Sequence, residues 1–247
     1  MFGYNNLSTI GIDFDIESCR FAAPFGTEKY NDFMIFNDDI LYIHIGKTGG
    51  MSTARYLCKV LKDPIYNVVP PNALDVQFGN AKNIAGLRHE TLEEALEVTR
   101  QYGKGIGDFK EVLATIRHPY DLELSLYFHL KKKLDDGRKV HPERAALVRE
   151  GIESFVKAGI YHRPGVRYED YVTIEGQVPN HLRFIRFENI SEEFQKISVE
   201  YGSGKRIPFP HRNKSKRSFT VNDLSDELKA LIYEKYKWIF DQGFYER

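Results

Sequence analysis

Apolar residues along the chain follow two patterns, which predict two kinds of element. Short apolar or alternating runs predict buried strands at residues 41–45, 83–87, 111–116 and 181–189. Apolar positions three and four residues apart predict helices after the first of these strands and at residues 120–134 and 228–239. Strands that alternate with helices are typical of α/β proteins with parallel strands. The pattern therefore predicts a three-layer α/β fold around a central parallel sheet.

Local signals indicate where several helices begin and end. Thr91 and Glu94 have the spacing of a capping box, in which each side chain binds the other residue's amide at a helix start. Pro119 breaks the strand before it and is suited to open the next helix. Gly243 ends the last helical stripe, and a charged helical pattern also covers residues 138–158.

The first part of the chain differs from the rest because it has no sustained pattern. Residues 1–39 are irregular, with Gly, Asn and Asp between short apolar pieces. We interpret them as an extension packed on the main domain, and the apolar piece at residues 33–36 as a strand that pairs at a sheet edge or with a second subunit. Residues 40–247 then form the α/β domain, and the length of 247 residues fits one such domain better than two.

Composition narrows the classes of partner. The 35 basic and 35 acidic residues balance, so nothing predicts a general attraction to nucleic acid or to an anionic membrane, and any anion site must be built locally. The N-terminus lacks a secretory pattern, and no apolar stretch is long enough to span a membrane. Cys19 and Cys58 show no pairing or metal spacing. These features predict a soluble, cytoplasmic protein with free thiols.

A glycine-rich turn with one lysine follows the first predicted strand and precedes a helix. Gly49 and Gly50 let backbone amides approach an anion closely, and the helix start adds the positive end of its dipole. Lys47 supplies a point charge. The turn differs from the standard nucleoside-triphosphate loop, whose glycines come before the lysine. It predicts a P-loop-like, phosphate-cradling element.

Two further groups of polar residues follow later predicted strands. Arg117 comes directly after the strand at residues 111–116, and Ser125 lies eight residues further, on the next helix. Arginine offers a bidentate fork for phosphate, and the serine hydroxyl adds a donor. His89 and Glu90 lie between the strand at 83–87 and a helix start, at the sheet edge where ligands bind in open parallel sheets.

These motifs together resemble the sulfotransferases that use 3′-phosphoadenosine 5′-phosphosulfate (PAPS), and most closely the carbohydrate sulfotransferases and their bacterial relatives. The run Lys-Thr-Gly-Gly-Met-Ser at residues 47–52 is similar to the family's 5′-phosphosulfate loop, although Gly46 replaces a proline and Met51 a threonine. The Arg and Ser eight residues apart are similar to its 3′-phosphate motif, where Leu122 replaces a common arginine. The likeness covers residues 40–134 and 182–245.

The resemblance implies the transfer of a sulfuryl group from PAPS to an acceptor hydroxyl or amine, with adenosine 3′,5′-bisphosphate (PAP) as the product and no metal required. It implies that Lys47 holds the phosphosulfate and stabilises the leaving phosphate. It assigns the 5′-phosphosulfate to Lys47, Thr48, Gly49, Gly50, Met51 and Ser52. It assigns the 3′-phosphate to Arg117 and Ser125, with further nucleotide contacts from Arg212, Lys214 and Ser215.

A histidine or a carboxylate is needed to remove the acceptor proton. His89 is the first candidate for this general base, because its ordinary pKa lets it accept a proton near neutral pH. Glu90 is the second, since members of the family use either residue type. His44 is interpreted as a packing residue of the first strand.

Two other classes of function stay open at this point: a P-loop phosphotransferase of the kinase type, and a nucleotide-binding protein without catalysis. A phosphotransferase needs Mg²⁺, usually held by an acidic residue at a strand end, whereas Arg117 occupies such a position here. The acceptor is predicted to be a saccharide or another hydroxylated small molecule, with residues 160–187 as its candidate binding region. The chain leaves oligomerisation open.

Overall fold

The computed structural model describes residues 34–87, 89–210 and 218–247. Six strands form one sheet in the order β4-β3-β1-β2-β5-β6. The strands are β1 (Ile35–Phe36), β2 (Ile40–Ile43), β3 (Tyr66–Val69), β4 (Lys82–Ala85), β5 (Glu111–Ile116) and β6 (Leu182–Arg186). Residues 1–33, which hold most of the predicted extension, lie outside this description.

Eight α-helices lie within the described ranges. They are α1 (Gly50–Val60), α2 (Leu92–Arg100), α3 (Pro119–Asp135), α4 (Pro142–Glu150), α5 (Ile152–Lys157), α6 (Ile190–Glu200), α7 (Asp226–Lys235) and α8 (Lys237–Asp241). The capping box predicted for Thr91 and Glu94 is formed at the start of α2 and is confirmed. The C-terminal pattern is divided between two helices, because the backbone leaves the helical conformation at Tyr236.

The sheet is mixed, so the prediction of a parallel sheet is confirmed for the four predicted strands β2, β4, β5 and β6 and wrong for β1. Strand β1 pairs antiparallel with both β2 and β3, whereas β2, β5 and β6 pair in parallel, as do β3 and β4. A short turn joins β1 to β2, and only antiparallel strands can be joined so tightly. Asn37 stabilises this turn, since its side-chain oxygen accepts hydrogen bonds from the amides of Asp39 and Ile40 at 3.0 and 2.9 Å.

Strand β1 also lies in the interior of the sheet rather than at the expected edge, between β3 and β2. The sheet therefore begins within the segment that the pattern assigned to the extension. Strand β3 was not predicted at all. Its four residues stand between Asp63-Pro64 and Pro70-Pro71, which are turn signals, and so short a run has too little pattern to indicate a strand.

Helices cover both faces of the sheet. The side chains of Leu41 and Ile43 in β2 pack into a core with residues of α2, α3 and α7. Those of Ile40 and Tyr42 point to the opposite face and pack with residues of α1 and α6. The alternation follows from the two-residue period of a strand and produces three layers. Across the described ranges, no helix has both the length and the apolar character needed to cross a bilayer.

Candidate functional site

The candidate site lies where parallel strands β2 and β5 end. Ile43, the last residue of β2, is paired with Ala114, two residues before the end of β5. Parallel strands bring their carboxyl ends to one edge of a sheet. The glycine turn after β2 and Arg117 after β5 are therefore neighbours, although 70 residues separate Lys47 from Arg117 in the sequence.

The glycine turn has a left-handed backbone at two positions. Lys47 has φ 68° and Gly49 has φ 90°, and the turn directs the chain from β2 into α1. The Thr48 hydroxyl donates a 2.7 Å hydrogen bond to the carbonyl of Ile45, which closes the turn. Gly49 is the N-cap of α1, and no side chain caps this helix start. Met51 and Ser52 lie in its first turn, so the predicted anion-binding residues 47–52 form one continuous element.

The glycines of the turn are also required by packing. A Cβ atom at Gly46 would come within 2.5 Å of the His162 ring, and one at Gly50 within 1.7 Å of the His44 ring. At Gly49 a Cβ atom would come within 2.8 Å of Ile190 and 3.0 Å of Phe187. Such distances exclude larger residues without a shift of the surroundings. The small side chains therefore serve close packing in addition to the predicted approach of an anion.

Arg117 joins the glycine turn to helix α3. Its Nη1 donates to the carbonyl of Lys47 at 3.0 Å and to the Ser125 hydroxyl at 3.2 Å. Its Nε donates to the Asp121 carboxylate at 2.5 Å, and its Nη2 forms an ion pair with the same oxygen. The guanidinium lies 4.1 Å from the ring centroid of Phe187. With only 8% of its surface exposed, Arg117 is held in one orientation.

A cluster of three histidines stands behind the glycine turn. The ring centroids of His44 and His89 are 4.5 Å apart, and so are those of His89 and His162. Nδ1 of His89 donates to the carbonyl of His44 at 3.2 Å, which joins the end of β2 to the segment after β4. His89 has φ 56°. Of the described non-glycine residues, only Lys47, His89 and Glu175 have positive φ, so two predicted catalytic residues have this unusual backbone.

Arg163 positions the segment that contains His89. Its Nη1 donates to the carbonyl of His89 at 3.2 Å and to Glu94 at 2.5 Å, and its Nη2 donates to the other oxygen of Glu94 at 2.6 Å. Glu94 also accepts a hydrogen bond from the Thr91 amide in the capping box at the start of α2. One ion pair therefore fixes the His89 backbone to the start of α2 and to the chain around residue 163.

Glu90 is a buried carboxyl group with 2% of its surface exposed. Burial raises its pKa from a usual value of 4.5 to about 8, assisted by the negative charge of Glu94 and opposed by the amides of Glu90 and Leu87 and by Arg163. No side chain in the described ranges hydrogen-bonds to either carboxylate oxygen. Glu90 therefore keeps its proton at pH 7, and the ionised form that a general base requires is disfavoured there.

The replacement Glu90→Gln is expected to reduce the loss of stability as pH rises. Between pH 4.5 and 8 the folded chain holds the Glu90 proton and the unfolded chain does not, so stability is greatest below pH 4.5 and falls up to pH 8. Each pKa unit corresponds to about 1.4 kcal/mol. We take relaxation around the charge to halve the full effect. The free energy of unfolding of Glu90→Gln, measured relative to that of the unmodified chain, should then increase by ~2 kcal/mol between pH 5 and pH 8.

Urea unfolding of both proteins at pH 5 and pH 8 measures this difference. Glu97→Gln, at an exposed position of the same region in α2, is the matched control and should leave the pH dependence unchanged. Equal pH dependence in Glu90→Gln and in the unmodified chain would contradict the burial argument.

A pocket opens beside Lys47 on the α3 side of the glycine turn, and we name it the tyrosine pocket. Its cavity volume is about 20 Å³, which is room for about one water molecule. Its walls come from the glycine turn, from α3, from residues 161–171 and from the junction of α7 and α8. The lining residues are Ile45, Gly46, Lys47, Leu122, Leu126, Tyr161, His162, Val166, Tyr168, Tyr171 and Tyr236.

The structure thus brings together most of the residues that the sequence selected. Lys47, the glycine turn, Arg117 and Ser125 form one contiguous group, and His89 lies next to it through His44 and His162. The positions of Arg212, Lys214 and Ser215 lie outside the described residues. Leu122, which replaces an arginine of the similar motif, is buried and lines the tyrosine pocket.

Sequence reasoning missed four residues that shape the site: Asp121, His162, Arg163 and Phe187. The spacing of four residues between Arg117 and Asp121 at a helix start was a readable signal for an ion pair. His162 and Arg163 belong to the region selected by composition alone, and no local pattern identifies their contacts. Phe187 directly follows β6, and its stacking on Arg117 depends on the fold.

Among the described residues, no group of three or more His, Cys, Asp or Glu side chains is arranged to hold a metal ion. Comparison of the chain with protein-family models, with curated proteins and with solved structures gives no match.

Proposed function

We propose that the chain is a sulfotransferase that moves a sulfuryl group from PAPS to an acceptor hydroxyl. The observation that carries the proposal is the position of Arg117, whose Nη1 lies 3.0 Å from the Lys47 carbonyl and 3.2 Å from the Ser125 hydroxyl. Two elements suited to anions, which the sequence places far apart, are therefore adjacent. The carbohydrate or small-molecule acceptor and the cytoplasmic location stay predictions.

The two elements match a nucleotide with anionic groups at both its 3′ and 5′ positions. The start of α1 offers amides and a helix dipole without a competing cap, and its first turn contains no acidic residue. Arg117 offers the positive charge of its guanidinium and an N–H shared with the Ser125 oxygen, and Ser125 offers an O–H beside it, for a second anion. A donor such as PAPS requires two such binding elements within one nucleotide length.

Asp121 and Phe187 fix the direction of the Arg117 fork. The Asp121 carboxylate engages Nε and Nη2, and the Phe187 ring lies against the guanidinium. These contacts leave Nη1 as the edge that reaches Ser125 and the glycine turn. We propose that the 3′-phosphate accepts the Nη1 hydrogen that is otherwise donated to the Ser125 oxygen, that it also accepts the Ser125 O–H, and that the Asp121 pair preorganises Arg117.

PAPS supplies an activated sulfuryl group when it is bound. Lys47 and the amides at the start of α1 would hold the phosphosulfate and favour the negative charge that develops on the leaving phosphate. The turn that carries Lys47 is rigid, because Thr48 closes it and close packing surrounds its glycines. A fixed charge at this position needs little reorganisation during the reaction.

A phosphotransferase is the main competing function. It requires Mg²⁺, which an acidic residue at a strand end usually holds. The strand β5 ends at Ile116 and is followed by Arg117, whose own acidic neighbour is committed to it as an ion pair. This arrangement favours a donor that carries its own 3′-phosphate.

A thermal-shift titration with PAP, adenosine 5′-phosphate and Mg-ATP tests the proposal. We expect PAP without Mg²⁺ to stabilise the protein most, because a ligand that binds only the folded state raises its stability, by about 2.7 kcal/mol at 100 times the dissociation constant. Arg117→Met should weaken PAP binding by about 10- to 100-fold, since hydrogen bonds to charged groups contribute about 1.5–3 kcal/mol. It should weaken adenosine 5′-phosphate binding far less.

Arg100→Met, at an exposed position in α2, is the control and should retain the preference for PAP. Ser125→Ala provides a milder change at the same proposed subsite. A preference for Mg-ATP over PAP would favour the phosphotransferase, and an unchanged preference for PAP in Arg117→Met would reject the proposed 3′-phosphate site.

A further inference from the structure

A broad cleft lies between the start of α3 and the start of α7, and we name it the α3–α7 cleft. Its cavity volume is about 550 Å³, within the range of about 300–1,000 Å³ that is usual for small-molecule sites. Its walls come from the start of α3, from the 3₁₀ turn Val221–Asp223, from the first turns of α7 and from residue 247. The lining residues are His118, Tyr120, Val221, Asp226, Lys229, Ala230 and Arg247.

The α3–α7 cleft is separate from the proposed donor site, because none of Lys47, Arg117 and Ser125 lines it. An α-helix has 3.6 residues per turn, so each residue is turned by about 100° from the one before it. Tyr120 therefore lies about 140° around α3 from Ser125, on a different side of the helix. A ligand in the cleft needs no contact with the proposed donor-binding residues.

The floor of the α3–α7 cleft is aromatic and closely packed. The ring centroids of His118 and Tyr120 are 5.1 Å apart, and the Phe240 ring lies 6.0 and 5.9 Å from them. Tyr245 supports His118 from behind at 5.0 Å, and its hydroxyl donates to the Ile116 carbonyl at the end of β5. Burial lowers the pKa of His118 against the opposing effect of nearby carboxylates, so its ring is neutral at pH 7. The floor is thus a preformed, uncharged surface on which a planar ring can pack.

Two positive charges stand at the rim of the α3–α7 cleft. Lys229 is half-buried in α7, and the Arg247 guanidinium lies 4.3 Å from the ring centroid of Tyr233, which holds it beside the cleft. Within the described ranges, neither cation forms an ion pair. Asp226 is the single carboxylate among the described lining residues, and it lies in the first turn of α7, where the helix dipole favours a negative charge. Both cations are therefore available to an anionic group of a ligand.

We infer that the α3–α7 cleft binds a small aromatic molecule with one anionic group, such as an aryl carboxylate. The ring packs on His118 and Tyr120, and the anionic group pairs with Lys229 and Arg247. A second anionic group is disfavoured, because it would approach the Asp226 carboxylate. The site is additional to the proposed donor site and does not depend on it.

A ligand-observed NMR titration of the full chain with 1-naphthoate tests this site. We expect a Kd of about 1 mM or lower, in the range usual for a ligand of this size. Two matched compounds separate the ring from the charge: 1-naphthamide keeps the ring without the charge, and cyclohexanecarboxylate keeps the charge without the aromatic ring. Each should bind at least about 3-fold more weakly. Added salt should weaken the binding of 1-naphthoate more than that of 1-naphthamide.

Variants at the wall and rim of the cleft locate the site. Ala230→Trp, at a half-buried position of α7, should lower the affinity for 1-naphthoate at least about 10-fold, because the larger side chain fills the cleft. Leu231→Trp, at the neighbouring exposed position, should leave the affinity unchanged. Lys229→Met and Arg247→Met should each lower it about 3- to 10-fold, whereas Lys237→Met on α8 should have no effect.

The titration is repeated with saturating PAP, so that binding in the cleft is distinguished from binding at the proposed donor site. We expect the affinity for 1-naphthoate to stay within about 2-fold, since the two sites share no lining residue. Displacement of 1-naphthoate by PAP would overturn the inference, as would unchanged affinity in Ala230→Trp or no binding at about 10 mM. Equal affinity for 1-naphthamide or for cyclohexanecarboxylate would overturn the ligand class. Absence of PAP binding would reject the proposed donor site alone, because the variants test the cleft without PAP.

Discussion

Replacing Lys47 with asparagine is expected to lower kcat for sulfuryl transfer by about 10²- to 10³-fold, with a loss of PAP affinity below about 10-fold. Groups that stabilise charge developing in the transition state have effects of this size on kcat. The ground-state anion retains the amides at the start of α1 and the Arg117 fork. An interaction that strengthens only as the leaving oxygen gains charge affects kcat more than binding.

Asparagine is the appropriate replacement because of the backbone at this position. Lys47 has φ 68°, and asparagine adopts left-handed conformations more readily than alanine does. The substitution thus removes the charge with little added strain. The carbonyl that accepts the Arg117 hydrogen bond belongs to the backbone, so this link between the turn and α3 is retained.

Formation of PAP from PAPS measures the effect, with a hydroxylated acceptor and with water alone. Lys59→Asn removes an exposed lysine from the last turn of the same helix and should keep kcat within 2-fold. A loss of PAP affinity as large as the loss of kcat would show that Lys47 acts in binding and would contradict a transition-state role.

Local chemistry explains why part of the site could be predicted from the sequence. A strand, a glycine turn and a helix start occupy one continuous stretch of chain, and Arg117 and Ser125 are eight residues apart on one strand end and helix. The capping box at Thr91 is equally local. Each of these features needs only its own neighbours in sequence, so pattern and spacing are sufficient to detect it.

The remaining features depend on contacts between distant segments. Strand β1 has two residues and lies between β2 and β3, and no pattern of two residues specifies a position within a sheet. Arg163 joins the His89 carbonyl to Glu94 across 69 or more residues of chain. The position of His162 against Gly46 is a similar case. Such contacts follow from the order of the strands, which hydrophobic periodicity does not fix.

The packing around the tyrosine pocket also depends on a buried charge pair that was not predicted. Glu123 in α3 has 0% and Lys235 in α7 has 7% of its side chain exposed. Nζ of Lys235 donates to both Glu123 oxygens at 3.0 and 2.8 Å and to the Ile160 carbonyl at 2.7 Å. The hydroxyl of Tyr236, a pocket residue, donates to Glu123 at 2.8 Å. This network holds α3, the α7–α8 junction and the segment before His162 together.

Removing either charge alone is expected to destabilise the fold by about 3–5 kcal/mol, because the partner is left buried and unpaired. We expect this loss for Glu123→Leu and for Lys235→Met. Burial already lowers the pKa of Lys235, against the opposing effect of Glu123, so the loss of Glu123 should favour the neutral amine and limit the cost at high pH. The free energy of unfolding in urea measures each variant.

The double variant Glu123→Leu, Lys235→Met separates the pair from its surroundings. The double variant places an apolar pair of similar volume in the site and leaves no buried charge without a partner. It should therefore be destabilised less than either single variant, and this difference corresponds to a coupling energy of several kcal/mol between Glu123 and Lys235. Lys237→Met removes an exposed lysine that pairs with Asp241 and should change stability by less than about 0.5 kcal/mol. If the loss in the double variant equals the sum of the two single losses, Glu123 and Lys235 stabilise the fold through separate contacts. The wall of the tyrosine pocket would then be held by Tyr236 and Ile160 and not by the charge pair.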